Sequence, residues 1–385
     1  MTSFSRRRIL GGAGAALGAT ALGTSITSSA AAATRDTTSS AFRAGRHMRE
    51  EKKSLDELYA DARREGGELV IYAGGDLPDQ QDATKQAFVS QFPDIKLTMV
   101  VDYSKYQDVR IDNQLATDTL VPDVVQLQTV QDFARWKAMG VLQRYKPAGF
   151  SALYPQFRDP DGAWVSIAVF AFSYMYDQTL GSDGPATPRD LADPRWKGAI
   201  SSTYPHDDDA VLYLYKLYTE AYGWDWIRRL AAQNVEFGRG SFTPIVSVAS
   251  GQKRVGIGGV GSLTGPIAPG VKWAAPDGHP FMAWGQRAAI LARAKHPAAA
   301  KLYLNWQLSR AVQEQSFDGW SVRTDVTPAG GLKPIWKYPN AHLDGFPRFM
   351  ADRAEVERWK QTFALYFGEV HGAPTPGSLG LHPGQ

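Results

Sequence analysis

The chain contains no cysteine. That removes disulfides, thiolate nucleophiles, iron–sulfur clusters and cysteine zinc sites together, and it leaves the redox compartment open. A charge excess is also missing. Lysine and arginine total 42 against 39 acids, and Arg6, Arg7 and Arg8 account for the whole difference. A chain otherwise balanced in charge lacks the basic face expected of a nucleic-acid binder. Beyond residue 33 no apolar run approaches the ~18 residues of a membrane span, so the mature chain is expected to be soluble. Repeats are absent, which argues against an adhesive or structural array. Catalytic signatures are equally scarce: there is no G-x-S-x-G, no H-E-x-x-H and no Walker loop, and no two of the 7 histidines stand four residues apart. A carboxylate pair leaves no such trace, so a secreted hydrolase is the alternative class.

What is present begins with a signal for export. Arg6, Arg7 and Arg8 precede Ile9 and Leu10, and an uncharged stretch of Gly, Ala, Leu and Thr runs on to Ala33. This is the charged, apolar and small-residue order of a secretory signal, with an A-x-A-like cleavage site at Ala31-Ala32-Ala33. The string SRRRIL also resembles the twin-arginine consensus. Residues 1–33 therefore read as a twin-arginine-type signal peptide, and the protein as periplasmic or secreted. Residues 34–53 read as a flexible linker and 371–385, rich in Pro and Gly, as a flexible tail.

Between these ends helices alternate with strands. Ser54 and Glu57 have capping-box spacing, and Leu55, Leu58, Tyr59 and Ala62 share one helix face until Gly66-Gly67. A short apolar strand then ends at Gly74-Gly75-Asp76. The next helix carries Phe88 and Phe92 and is halted by Pro93. Strands follow at 96–102 and 122–128, and a helix from Val130 is closed by Gly140. This alternation predicts an α/β lobe with a mainly parallel sheet. Residues 164–177 form a long apolar run with no Gly or Pro, as expected where a chain leaves one lobe for another. Residues 178–265 repeat the α/β style, and 271–291 form a second extended stretch. Ala299, Leu302, Tyr303 and Trp306 then stripe one helix, and a last helix covers about 355–367.

The strings PRDLADPRWKGAI at 188–200 and KHPAAAKLYLNWQLS at 295–309 resemble segments of bacterial extracellular solute-binding proteins of ABC importers. LVIYAGGD, PDVVQLQT and GWSVRTDV stand in the expected order around them. The similarity is to the iron(III), phosphonate, thiamine and polyamine group. It implies a type II periplasmic-binding-protein fold, with two α/β lobes joined by two crossover strands and a ligand cleft between. Lobe 1 would combine 55–168 with 275–370, and lobe 2 would span 169–274. It further implies capture of a small molecule or metal by hinge closure, without cofactor or catalysis. The monomer would deliver its ligand to an ABC permease in the inner membrane.

Ligands of open α/β sheets bind at the carboxyl ends of strands. That selects Gly74, Gly75 and Asp76 after one strand, and Gln128 and Thr129 after another. In lobe 2 the string YPHDDD offers Tyr204, Asp207 and Asp208. These acids can hold a metal or an ammonium group, or simply cap the helix that follows. The Gly-Ser turns at Gly240-Ser241 and Gly261-Ser262 present N–H donors suited to an anion. Tyr174 and Trp284 lie on the crossovers, placed either to stack on an organic ligand or to pack in the core. The turns favour an anionic or anion-bearing organic ligand, with iron(III) next. Iron(III) members commonly supply adjacent tyrosines, and this chain has no Tyr-Tyr; Tyr213, Tyr215 and Tyr218 fall on different helix faces. Gly256, Gly258 and Gly261 match G-x-G-x-x-G, but Pro266 and Pro269 forbid the helix a dinucleotide site needs.

Overall fold

Helix α1 (Leu55–Glu65) starts where its cap dictates. Ser54 Oγ accepts from Glu57 N at 3.2 Å, and the Glu57 carboxylate accepts from Ser54 N at 2.8 Å. Two otherwise orphaned donors are satisfied reciprocally. Ser54→Ala should therefore lower the unfolding free energy by about 1 kcal/mol in urea titration; an unchanged midpoint would show the cap to be dispensable. The structure is a computed structural model and describes residues 48–316 and 319–384. The signal-peptide reading of 1–33 and the linker reading of 34–47 lie outside the described residues. The linker's last residues are pinned to lobe 1: Glu51 N donates to Lys146 O, and Ser151 N to Glu50 Oε1, both at 2.8 Å.

Lobe 1 continues with β1 (Glu68–Gly74), α2 (Asp82–Gln91), β2 (Lys96–Asp102), α3 (Ser104–Ala116), β3 (Val124–Leu127) and α4 (Val130–Ala138). The first crossover is β4 (Val165–Asp177). Lobe 2 holds β5 (Ile200–Thr203), α5 (Asp209–Tyr222), α6 (Trp224–Ala231), β6 (Glu236–Gly238), α7 (Thr243–Ala249), β7 (Val255–Val260) and β8 (Val271–Ala274). The second crossover is β9 (Met282–Ile290), followed by α8 (Pro297–Gln307), α9 (Arg310–Gln313), α10 (Gly345–Ala351) and α11 (Arg353–Phe367).

Strand order is β2-β1-β3-β9-β4-β7-β5-β6, with β8 added on β4. Pairing is parallel within each lobe, β2-β1-β3 in one and β7-β5-β6 in the other. It is antiparallel wherever β4 or β9 takes part, so the expected mainly parallel sheet is interrupted at its middle. The 13-residue β4 serves both lobes. Its first part pairs with β9, and its last part with β7 and β8. The uninterrupted apolar run reflects this double duty, because both faces are covered along its length. Gly256 and Gly258 lie inside β7. Gly258 adopts φ 79° at the register shift opposite Ser173 and Tyr174, so the glycine pattern marks a bulged strand.

Alternation along β1 divides the lobe 1 core. Ile71 and Ala73 join Leu58, Phe88, Tyr303 and Trp306 on one face, while Tyr72 joins Ile111, Phe133 and Trp136 on the other. The C-terminal helices reach across to the second lobe. Within the segment 275–370 assigned to lobe 1, α10 touches α4 and β9 as well as α5, where Tyr213 contacts Phe346 and Phe349; α11 packs on α5 and α6, where Tyr215 contacts Phe363 and Phe367 and Trp224 stacks on Trp359. Lys360 also pairs with Asp209 at 2.7 Å. An amphipathic helix requires an apolar partner and does not specify which lobe supplies it. The segment 371–384, read as a flexible tail, bonds to the body at several points and returns to lobe 1.

Candidate functional site

The carboxyl ends of β1 and β3 face the start of α5 and the loop after β6 across a cavity of about 600 Å³. That size suits an organic molecule rather than a bare ion. Gly74, Gly75, Asp76, Gln128 and Thr129 line it from lobe 1, and Asp207, Asp208, Gly240 and Ser241 from lobe 2. Trp284 lines it from the second crossover, beside Phe170 and Phe172 of the first. The indole stands edge-on to Phe172 at 5.0 Å, and its Nε1 donates to Gln286 Oε1 at 3.1 Å. Those rings give the cavity an apolar stretch of wall.

The lobes touch directly across the cavity. Ser241 N donates to Asp76 Oδ2 at 2.8 Å, and Ser241 Oγ donates to the same oxygen. Lys105 Nζ, at the start of α3, donates to Asp207 Oδ1 at 2.5 Å and to Asp207 O at 2.8 Å. Gln128 Nε2 donates to Asp208 Oδ1 at 3.2 Å. Gly240 is required for this approach: it holds φ 81°, and a Cβ there would sit 3.0 Å from Asp76 Cβ. Gly74 leaves room for the Ser104 hydroxyl, which accepts from Gln128 N at 3.0 Å and which a Cβ would crowd.

Four other residues singled out in the sequence do not line the cavity. Tyr174, on β4, is buried in the core, its hydroxyl donating to Pro185 O at 3.1 Å. Tyr204 is buried and stacks on Phe237. Gly261 is a packing glycine, because a Cβ would overlap the Trp273 ring. Ser262 turns its hydroxyl to Thr264 Oγ1 at 2.6 Å. Being near a strand end does not decide the face, which alternates from residue to residue.

Other lining residues carry no motif. Lys105 and Tyr103 are single residues at a helix start. Gln80, Gln81, Gln126, Gln286, Gln307 and Gln313 give the cavity an amide lining. Two of these had a readable signal: Gln126 and Gln286 are polar residues inside the apolar strands β3 and β9. Their amides are held in place, Gln126 Oε1 accepting from Tyr303 OH at 2.8 Å, and Tyr303 OH in turn accepting from Gln307 Nε2 at 2.7 Å.

Comparison with known proteins fits this geometry. Residues 120–258 match the family model described as bacterial extracellular solute-binding protein. A substrate-binding protein of an ABC transporter from Agrobacterium tumefaciens superposes with a TM-score of 0.63 at 16% identity, over 78% of this chain and 94% of that one. AfuA of Actinobacillus pleuropneumoniae, with fructose-6-phosphate bound, gives 0.61 at 19%, over 78% and 99%. Iron-bound HitA of Pseudomonas aeruginosa gives 0.58 at 19%, over 77% and 99%. The fold is that of the type II periplasmic binding proteins. An uncharacterized Haemophilus influenzae protein is also 23% identical over 322 residues, covering 78% of this chain and 91% of its own.

Within this type II fold the cavity is the interlobe cleft, and its charges are unevenly compensated. Asp207 has Lys105, with Arg239 Nε at 3.7 Å, and Asp209 has Lys360. Among the described residues, Asp76 and Asp208 have no cationic side chain within ion-pair distance. Asp208 is also the N-cap of α5, its Oδ1 accepting from Ala210 N and Val211 N at 2.8 and 2.9 Å. Burial, and then the charge of Asp76, push its carboxyl up to about 7. Burial likewise raises Asp76, against the opposing bonds from Ser241 and the more distant charge of Lys105. Thr129 Oγ1 is buried at the cavity wall without a partner. Among the described residues no group of three His, Cys, Asp or Glu is placed to hold a metal, and Tyr103 is the only tyrosine lining the cleft.

Proposed function

We propose that the chain is the extracytoplasmic solute-binding component of an ABC importer, exported to the periplasm or beyond. Its ligand is an organic molecule with an apolar body and a protonated amine or similar donor group. One observation carries the choice of class: Asp76 and Asp208 face the cavity without a cation of their own. At about 4 Å and an effective dielectric near 20, each of these carboxyls that ionises is worth roughly 4 kcal/mol; a bound cation favours that ionised form, and an anion opposes it. This reverses the leaning towards an anion that the Gly-Ser turns suggested, since Ser241 spends its donors on Asp76. The iron and sugar phosphate of the structural relatives set the competing ligands.

Capture proceeds by closure. A molecule touching both lobes favours the arrangement in which they meet, and β4 and β9 are the connections about which they separate. Thermal-shift screening of the chain without its first 33 residues tests the class. The probes are spermidine, thiamine, phosphonates, fructose-6-phosphate, and iron(III) with citrate. Stabilisation by amines is expected; stabilisation by phosphates or iron(III) alone overturns the ligand class. Recovery of the stabilising molecule unaltered separates a binder from a carboxylate-pair hydrolase.

A further inference from the structure

The C-terminal segment joins the two lobes a third time. It leaves lobe 2 at α11, which is packed on α5, and Arg239 Nη1 of lobe 2 donates to Pro374 O at 2.8 Å. One residue later it is on lobe 1, where Thr375 Oγ1 donates to Asp102 Oδ1. Arg110 then donates from Nε to Gly380 O at 2.7 Å and from Nη2 to Ser378 O at 2.8 Å. Gln114 Nε2 donates to Leu381 O at 2.6 Å, and Tyr72 OH to Pro383 O at 2.8 Å. Gly377 seats the segment on the open edge of β2, because a Cβ there would lie 2.8 Å from Val101 O.

The position of this crossing matters more than the number of bonds. Asp102 ends β2 and Arg239 follows β6, and these are the two outermost strands of the sheet order. The crossovers β9 and β4 stand in the middle of that order. A connection at the outer strands is displaced from the hinge, where opening moves the lobes furthest. It lies beside the cleft as well, since Gly240 follows Arg239 and touches Asp76.

We propose that residues 373–384 form a strap that holds the ligand-free lobes together and limits their opening. Opening must break the bond from Arg239 to Pro374 O, while Thr375 stays on Asp102 within lobe 1. Residues 368–374 then become the free tether, spanning at most ~25 Å when fully extended. A protein restrained near its closed state also loses less affinity to reorganisation when ligand arrives.

The absence of cysteine makes the test direct. Spin labels on Ser90→Cys of lobe 1 and Gln252→Cys of lobe 2, both exposed sites, report interlobe distance by pulsed electron paramagnetic resonance without ligand. Three labelled chains are compared: the full mature chain, one ending at Gly372, and a full-length Gly377→Val variant that lifts the strap without removing it. A single short distance is expected for the first. The truncated chain should show a distribution longer by several ångströms and broader, and Gly377→Val an intermediate one. Circular dichroism establishes that each is folded. Unchanged distributions in the folded variants overturn the proposal, and if truncation prevents folding, Gly377→Val decides alone.

Discussion

Arg110→Met is expected to destabilise the protein by roughly 3–5 kcal/mol, the cost of stranding a buried charge. Arg110 Nη1 lies 2.6 Å from Asp102 Oδ2, and the two side chains are only 4% and 1% exposed. Methionine fills much of the same space but leaves the Asp102 carboxylate inside lobe 1 without its cation. Guanidinium titration measures the loss, and adding Asp102→Asn should recover most of it. Arg110 also holds Ser378 and Gly380, so its removal weakens the strap. The two contributions separate in a chain ending at Gly372, where the ion pair is intact and the strap is gone. An equal loss there assigns the cost to the ion pair. A loss below about 1 kcal/mol in both backgrounds shows that lobe 1 tolerates the lone carboxylate.

The same region marks the limit of what the amino-acid sequence discloses. The 13-residue β4 was legible because its apolar run has no Gly or Pro, and such a run is too long for one ordinary strand. Helix α1 was legible because a capping box is a local device with a fixed spacing. The strap was not legible, because its bonds to Arg110, Gln114 and Tyr72 are made by backbone carbonyls, which carry no residue signature. Its Pro and Gly content suggested looseness, whereas Gly377 and Gly384 permit close contact with Val101 and Val100 of β2. The strand-end rule pointed to Gly74, Gly75, Asp76, Gln128 and Thr129, and all five line the cavity. It cannot find Lys105, a single lysine whose meaning arises only when Asp207 approaches from the other lobe.

Replacing both cleft acids, Asp76→Asn with Asp208→Asn, should abolish binding of a cationic ligand, each change costing at least about 30-fold in affinity. The pH dependence gives an independent check of sign. Burial and the neighbouring Asp76 raise the Asp208 carboxyl to about 7 in the ligand-free cleft, well above its ordinary value. A group raised in this way contributes stability that is full below its ordinary value and is lost as pH rises through about 7. The ligand-free melting temperature should accordingly fall between pH 6 and 8 by a part that Asp208→Asn removes. A cation entering the cleft favours the carboxylate, so it expels a proton near pH 7. Its affinity then rises from pH 6 to 8 and levels off above. Titration calorimetry in buffers of different ionisation enthalpy counts that proton. An anionic ligand reverses each sign, binding more tightly at pH 6 and taking up a proton. Affinity that falls between pH 6 and 8, or survives the double replacement, therefore excludes recognition of a cation by Asp76 and Asp208.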